Sequence, residues 1–171
     1  MGWRRLDKRL VLDLEVAKIY YLLLLYVCKE TFGSIKVCDG MKGKTIRQKV
    51  VIPATPDEVY EAYVDPKKHS KFTGSKATFD PNVGGEFTAW DGYISGKNLE
   101  LKKGKKIVQE WLTTEWPKGF PHSRLELTLK KTEEGTEISM VHSGVPAEQA
   151  EDILQGWNEF YWEPLKEFFN K

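Results

Sequence analysis

Apolar and polar positions change period several times along the chain, and each change marks an element. "KTIRQKVVIPA" reads as a first strand. Thr55-Pro56-Asp57-Glu58 then supplies a capping box, with Thr55 as the cap, proline at the first helical position and Glu58 reaching back. A helix therefore starts at Pro56, with Val59, Tyr60, Ala62 and Tyr63 as its apolar face. Asp65-Pro66 ends it and caps a second short helix through Phe72. Six extended stretches follow, over residues 75–80, 86–90, 93–101, 106–113, 123–131 and 136–143. The short turns between them, "DPNVGG", "KKGK" and "TEEG" among them, predict an antiparallel meander. In the fifth stretch Leu125, Leu127 and Leu129 share one face and Arg124, Glu126 and Thr128 the other, so one side of the sheet is wet and the other must be covered.

The cover is "PAEQAEDILQGWNEFYWEPLKEFFNK". Ile153, Leu154, Trp157, Phe160, Tyr161, Leu165, Phe168 and Phe169 recur at helical spacing, which predicts a long helix with a broad apolar stripe. Pro164 cannot donate to the helical ladder, so a kink or break is expected around residues 160–164. The expected fold class is α+β: a helix-grip arrangement, with an antiparallel sheet wrapped around a long C-terminal helix and two short helices after the first strand. This domain occupies residues 41–171.

Residues 1–40 follow a different pattern. Ile19 to Cys28 is an unbroken run of 10 apolar residues, about half of what a bilayer-spanning helix needs. Arg4, Arg5, Lys8 and Arg9 precede it as they would in a signal peptide, but Asp7, Asp13 and Glu15 interrupt and no small-residue cleavage site follows. The remaining readings are an apolar helix or a start codon upstream of the true one at Met41.

Charge and composition narrow the partners. With 26 basic and 25 acidic residues the chain has no overall field to draw nucleic acid or an acidic membrane. Lys67, Lys68 and Lys71 on the second short helix read as solvated lysines rather than a DNA-reading surface. Two cysteines, Cys28 and Cys38, make neither a disulfide scaffold nor a close metal-ligand pair, which places the chain by default in a reducing cytoplasm.

The glycines of "GGEFTAWDGYISG" pose a choice between a phosphate cradle and hairpin turns. No helix follows them, residues 86–90 alternate polar with apolar, and Asp91-Gly92 is a hairpin dipeptide, so turns are expected. His69, His122 and His142 fall on a short helix, a loop and a strand, with no spacing that pairs two of them on one helix face. His142 shares parity with Ile138 and Met140 and is read as a core histidine. No nucleophile with its base emerges, so neither an enzyme nor a cofactor is expected.

"GGEFTAWDGYISG", "IVQEWLTTEWPKGFPHS", "SGVP" and "QGWNEFYWEPLKEFF", in that order and spacing, resemble the C-terminal domain of the activator of the ninety-kilodalton heat-shock protein's ATPase and its single-domain homologues. The resemblance covers residues 45–169. It implies the START-like, birch-pollen-allergen-like helix-grip fold and a non-enzymatic cochaperone role connected with stress. In the full-length activator a separate N-terminal domain grips the chaperone's middle segment, and residues 1–40 are too short and too apolar to be that domain.

Two surfaces are therefore candidates. A chaperone would meet the loop of Trp116, Phe120 and His122, expected to be exposed because of its prolines and glycine, unless Trp116 instead caps the end of the sheet. A small apolar ligand would instead enter a cavity between the long helix and the sheet, lined by some of Phe87, Trp111, Leu127, Met140, Trp157 and Tyr161. The bulk of those side chains predicts a filled or narrow space.

Overall fold

The computed structural model describes residues 43–170, and the expectations for residues 1–40 fall outside them. β1 (Gly43–Ile52) leads into α1 (Pro56–Val64) and α2 (Pro66–Thr73). β2 (Thr78–Phe79), β3 (Glu86–Ala89), β4 (Ile94–Lys102), β5 (Lys106–Thr113), β6 (Ser123–Thr132) and β7 (Gly135–Pro146) follow. The seven strands form one sheet in the order β1-β7-β6-β5-β4-β3-β2, every pair antiparallel. First and last strands thus lie side by side, and the meander brings the chain back to its start before the final helix crosses the sheet.

That helix has three parts: α3 (Ala150–Trp157), a π-helical turn (Asn158–Trp162) and α4 (Glu163–Phe169). The break expected at Pro164 takes the form of this wide turn. The Glu163 N–H reaches back five residues to the Asn158 carbonyl. Pro164 offers no N–H of its own, and widening the turn just before it lets the helix continue without a sharp kink. Gln48 on β1 holds the helix at this point: its Nε2 donates to the Leu154 carbonyl at 3.1 Å and its Oε1 accepts from Trp162 Nε1 at 2.7 Å.

The covered face carries the core. Leu125, Leu127 and Leu129 from β6 and Ile138, Met140 and His142 from β7 are buried, beneath Trp157, Tyr161, Trp162 and Leu165 of the helix. Burying each large apolar side chain contributes about 1.5–3 kcal/mol. α1 and α2 close one end with Val59, Tyr60, Tyr63 and Phe72. The capping box at Thr55 and Glu58 is present, and Asp65 Oδ1 accepts from the Lys67 and Lys68 N–H groups at 2.9 and 2.8 Å.

A buried polar chain ties this end to the sheet. The Tyr63 hydroxyl donates to Gln109 Oε1 at 3.1 Å, Gln109 Nε2 to Asn98 Oδ1 at 2.8 Å, and Asn98 Nδ2 to the Asp80 carbonyl at 2.7 Å. Asn98 faces inward on the same strand parity as Ile94, and the β4–β5 register shifts just after it, between Asn98 and Glu100.

Two strand expectations need correction. The stretch 75–80 forms ladder pairs only at Thr78 and Phe79, and the Ala77 N–H turns instead to Ser70 Oγ at 2.9 Å. The stretch 86–90 stops at Ala89. Trp90 and Asp91 both adopt φ of 55°, and Gly92 φ of 91°, so the hairpin turns through three consecutive left-handed residues.

Candidate functional site

The left-handed turn after β3 aims Trp90 at the C-terminal helix. A tryptophan at positive φ costs about 1–3 kcal/mol and persists only where its surroundings fix it. Here the indole Nε1–H donates to the Tyr161 hydroxyl at 3.3 Å, and the ring meets Phe160 edge-on at 5.5 Å between centroids. Beside it a half-open cavity of about 480 Å³ lies between helix and sheet. Its sheet side is Trp90, Tyr93, Ile94 and Trp111; its helix side is Asp152, Ile153, Gly156, Trp157, Phe160 and Tyr161. Phe160 is 50% exposed, an unusual position for so large an apolar ring. Gly156 leaves room, since a Cβ there would meet only Phe160 Cδ2 at 3.7 Å.

The expected lining divides accordingly. Trp111, Trp157 and Tyr161 line the cavity. Phe87 lines a separate, very small void with His69 and Tyr161, while Leu127 and Met140, each 1% exposed, are packed into the core. The space is neither filled nor narrow, because the turn at Trp90 and the side-chain-free Gly156 hold it open.

The loop of Trp116, Phe120 and His122 is only partly on the surface. Trp116 and Phe120 are both 7% exposed: Trp116 meets Trp111 at 5.9 Å and Phe120 at 5.8 Å between centroids. Pro117, Lys118, Gly119, Pro121 and His122 remain on the surface, and His122 Nδ1 lies 3.5 Å from the Glu110 carboxylate. The prolines and glycine shape an outer rim whose aromatic members fold inward.

Under the cavity floor lies a hydrogen-bonded row that resembles a serine–histidine pair. Trp157 Nε1–H donates to His142 Nδ1 at 3.2 Å, so Nδ1 is the bare nitrogen and Nε2 carries the proton. That Nε2–H is then the donor to Ser123 Oγ at 2.7 Å, and Ser123 donates onward to the Trp111 carbonyl at 2.9 Å. Both ends of the imidazole are committed, and burial drives its pKa down to about 3. The serine has no base to take its proton, so this row holds helix to sheet rather than activating a nucleophile.

His69 is arranged differently. Its Nδ1–H donates to the Tyr63 carbonyl at 2.8 Å, and Nε2 has no partner. Burial lowers its pKa, and the bond to the carbonyl opposes that. At the cavity mouth the Tyr93 hydroxyl donates to Glu115 Oε2 at 2.8 Å. Burial, followed by that bond, raises its pKa.

Among the described residues no group of three or more histidine, cysteine or acidic side chains is placed to hold a metal. No helix among them is long and apolar enough to cross a membrane.

Residues 53–170 match the family model described as activator of Hsp90 ATPase homolog 1-like protein. The chain belongs to this family. The human activator of 90 kDa heat shock protein ATPase homolog 1 is 33% identical over 115 residues, covering 67% of this chain and 34% of that protein. The Dictyostelium discoideum activator homolog is 31% identical over 130 residues, covering 74% and 33%. The chain thus spans about a third of the length of the curated relatives it matches.

Among solved structures, an HSP90 activator from Plasmodium falciparum superposes with a TM-score of 0.65 at 23% identity, covering 75% of this chain and 96% of that one. A Chromobacterium violaceum protein gives 0.62 at 27% identity, with 74% and 97% covered. The fold of this Hsp90-activator-family domain is accordingly helix-grip, as its strand order and crossing helix require.

Proposed function

We propose that this domain is a non-enzymatic binding module that engages a 90 kDa heat-shock chaperone and raises its ATP turnover. The observation that carries this reading is the extent of the family match, which takes in nearly all of the described domain and both of its helical layers. Such a module acts by differential affinity: it binds one chaperone conformation more tightly than another and enlarges that population. A tenfold enlargement from a minor state requires about 1.4 kcal/mol of preference.

The contact surface in this reading is the outer rim of the loop that follows β5. Lys118 and His122 project from it, and Trp116 and Phe120 fix its shape from within. A loop braced by buried aromatics loses little freedom on binding, which favours affinity. The module would work in the cytoplasm, where its cysteines stay reduced.

The test is calorimetric titration of the full chain into a purified 90 kDa heat-shock chaperone, with and without ATP. Saturable binding that tightens with nucleotide, and weakens in the Lys118→Glu/His122→Ala double variant at unchanged melting temperature, is expected. Absence of binding under both conditions rejects the reading.

A further inference from the structure

The chemistry of the cavity lining goes beyond a surface for a chaperone. Six aromatic side chains surround it, and the single charged residue in its lining is Asp152. No lysine or arginine among the described residues forms an ion pair with Asp152 or with Glu115, the carboxylate that accepts from the Tyr93 hydroxyl of the lining. Aromatic faces carry negative potential and attract a cation within about 6 Å of their centroids, an attraction that grows when water is excluded. A volume of about 480 Å³ suits a small organic molecule.

A further observation favours an occupant. Trp90 is held in a strained left-handed conformation that turns its ring to the cavity rather than to solvent. Strain of this kind gathers at sites that bind.

We propose that this cavity binds a small organic cation: an ammonium group facing the aromatic rings and the Asp152 carboxylate, on an apolar body lodged between Trp111, Ile153 and Trp157. Neutral apolar molecules would bind more weakly, and anions most weakly, because the Asp152 carboxylate repels them. The site is independent of the loop rim and stands whether or not the chain meets a chaperone.

Three probes with one body and different heads decide the matter: 5-phenylpentylamine, 5-phenylpentan-1-ol and 5-phenylpentanoate. Each is titrated into the ¹⁵N-labelled full chain, with the indole N–H signals of Trp90, Trp111 and Trp157 as readout. The amine should shift them saturably, with a Kd at least tenfold below that of the alcohol, and the carboxylate should bind weakest. Asp152→Asn should bring amine and alcohol within about threefold of each other. Gly156→Leu should abolish binding of all three by filling the space, and its dispersed amide spectrum would show that the fold survives. No saturable indole shift with the amine, or carboxylate binding as tight as the amine's, overturns the proposal. An amine preference unchanged in Asp152→Asn overturns the role given to that carboxylate.

Discussion

Replacing His142 by glutamine tests the account of the buried row quantitatively. Glutamine can accept from Trp157 Nε1 and donate to Ser123 Oγ, so both partners keep a bond, but it does not titrate. Imperfect shape and bond geometry should cost about 1–3 kcal/mol at pH 7. The pH dependence is more telling. In the fold the His142 pKa is lowered from 6.5 to about 3 because burial penalises the charged imidazolium. A base with a depressed folded-state pKa stabilises the fold fully above its unfolded pKa. Below that the unfolded chain takes up a proton the fold refuses, and stability falls as pH drops from 6.5 towards 3. Between pH 7 and pH 5 the loss due to His142 integrates to about 2 kcal/mol. Any folded value well below 5 gives the same figure, because the fold is then essentially unprotonated across the interval. His69, also shifted down by burial, titrates alike in both proteins and cancels from the comparison. Urea unfolding followed by tryptophan fluorescence at the two pH values measures the difference. The wild type should lose about 2 kcal/mol more than His142→Gln on going from pH 7 to pH 5. Equal losses in the two proteins would show that His142 is not a buried neutral base.

Other substitutions probe packing elsewhere in the core. A Cβ at Gly96 would run into the Glu110 carbonyl and approach Phe87 Cε1 at 2.8 Å, so Gly96→Ala should lower stability by about 1–3 kcal/mol in urea unfolding. Trp162→Phe removes the donor to Gln48 Oε1 and should cost about 1 kcal/mol while leaving the far-ultraviolet circular dichroism unchanged. Trp116→Ala empties a buried site and should cost about 3–5 kcal/mol; a melting temperature close to wild type would return that ring to the surface.

Features set by neighbours in sequence were legible from the chain itself. The Thr55–Glu58 capping box and the Asp65 cap are local arrangements, and both are present. The parity of Leu125, Leu127 and Leu129 determined which face of the sheet is covered, and Pro164 marked where the helix departs from regularity. What depends on distant partners was not legible. Trp90 reads as the end of an alternating strand, and its left-handed turn is held by Tyr161, 71 residues away. The cavity was half visible: Trp111, Trp157 and Tyr161 were named. Tyr93, Ile153, Gly156 and Phe160 were not, because the gap between a turn and a helix depends on how they are set against each other. Gln48 and Ser123 look like ordinary strand residues, and only the crossing helix gives them their roles. Phe120 misled because proline and glycine signal a surface loop, whereas Trp116 was open between that surface and the end of the sheet. Two aromatics four residues apart inside such a loop were the available sign that part of it turns inward.

The most direct test of the chaperone reading is steady-state ATP turnover by a 90 kDa heat-shock chaperone from the same cell, measured against increasing amounts of the full chain. A saturable rise is expected, blunted in the Lys118→Glu/His122→Ala variant. Turnover that stays flat at concentrations saturating for binding would contradict it.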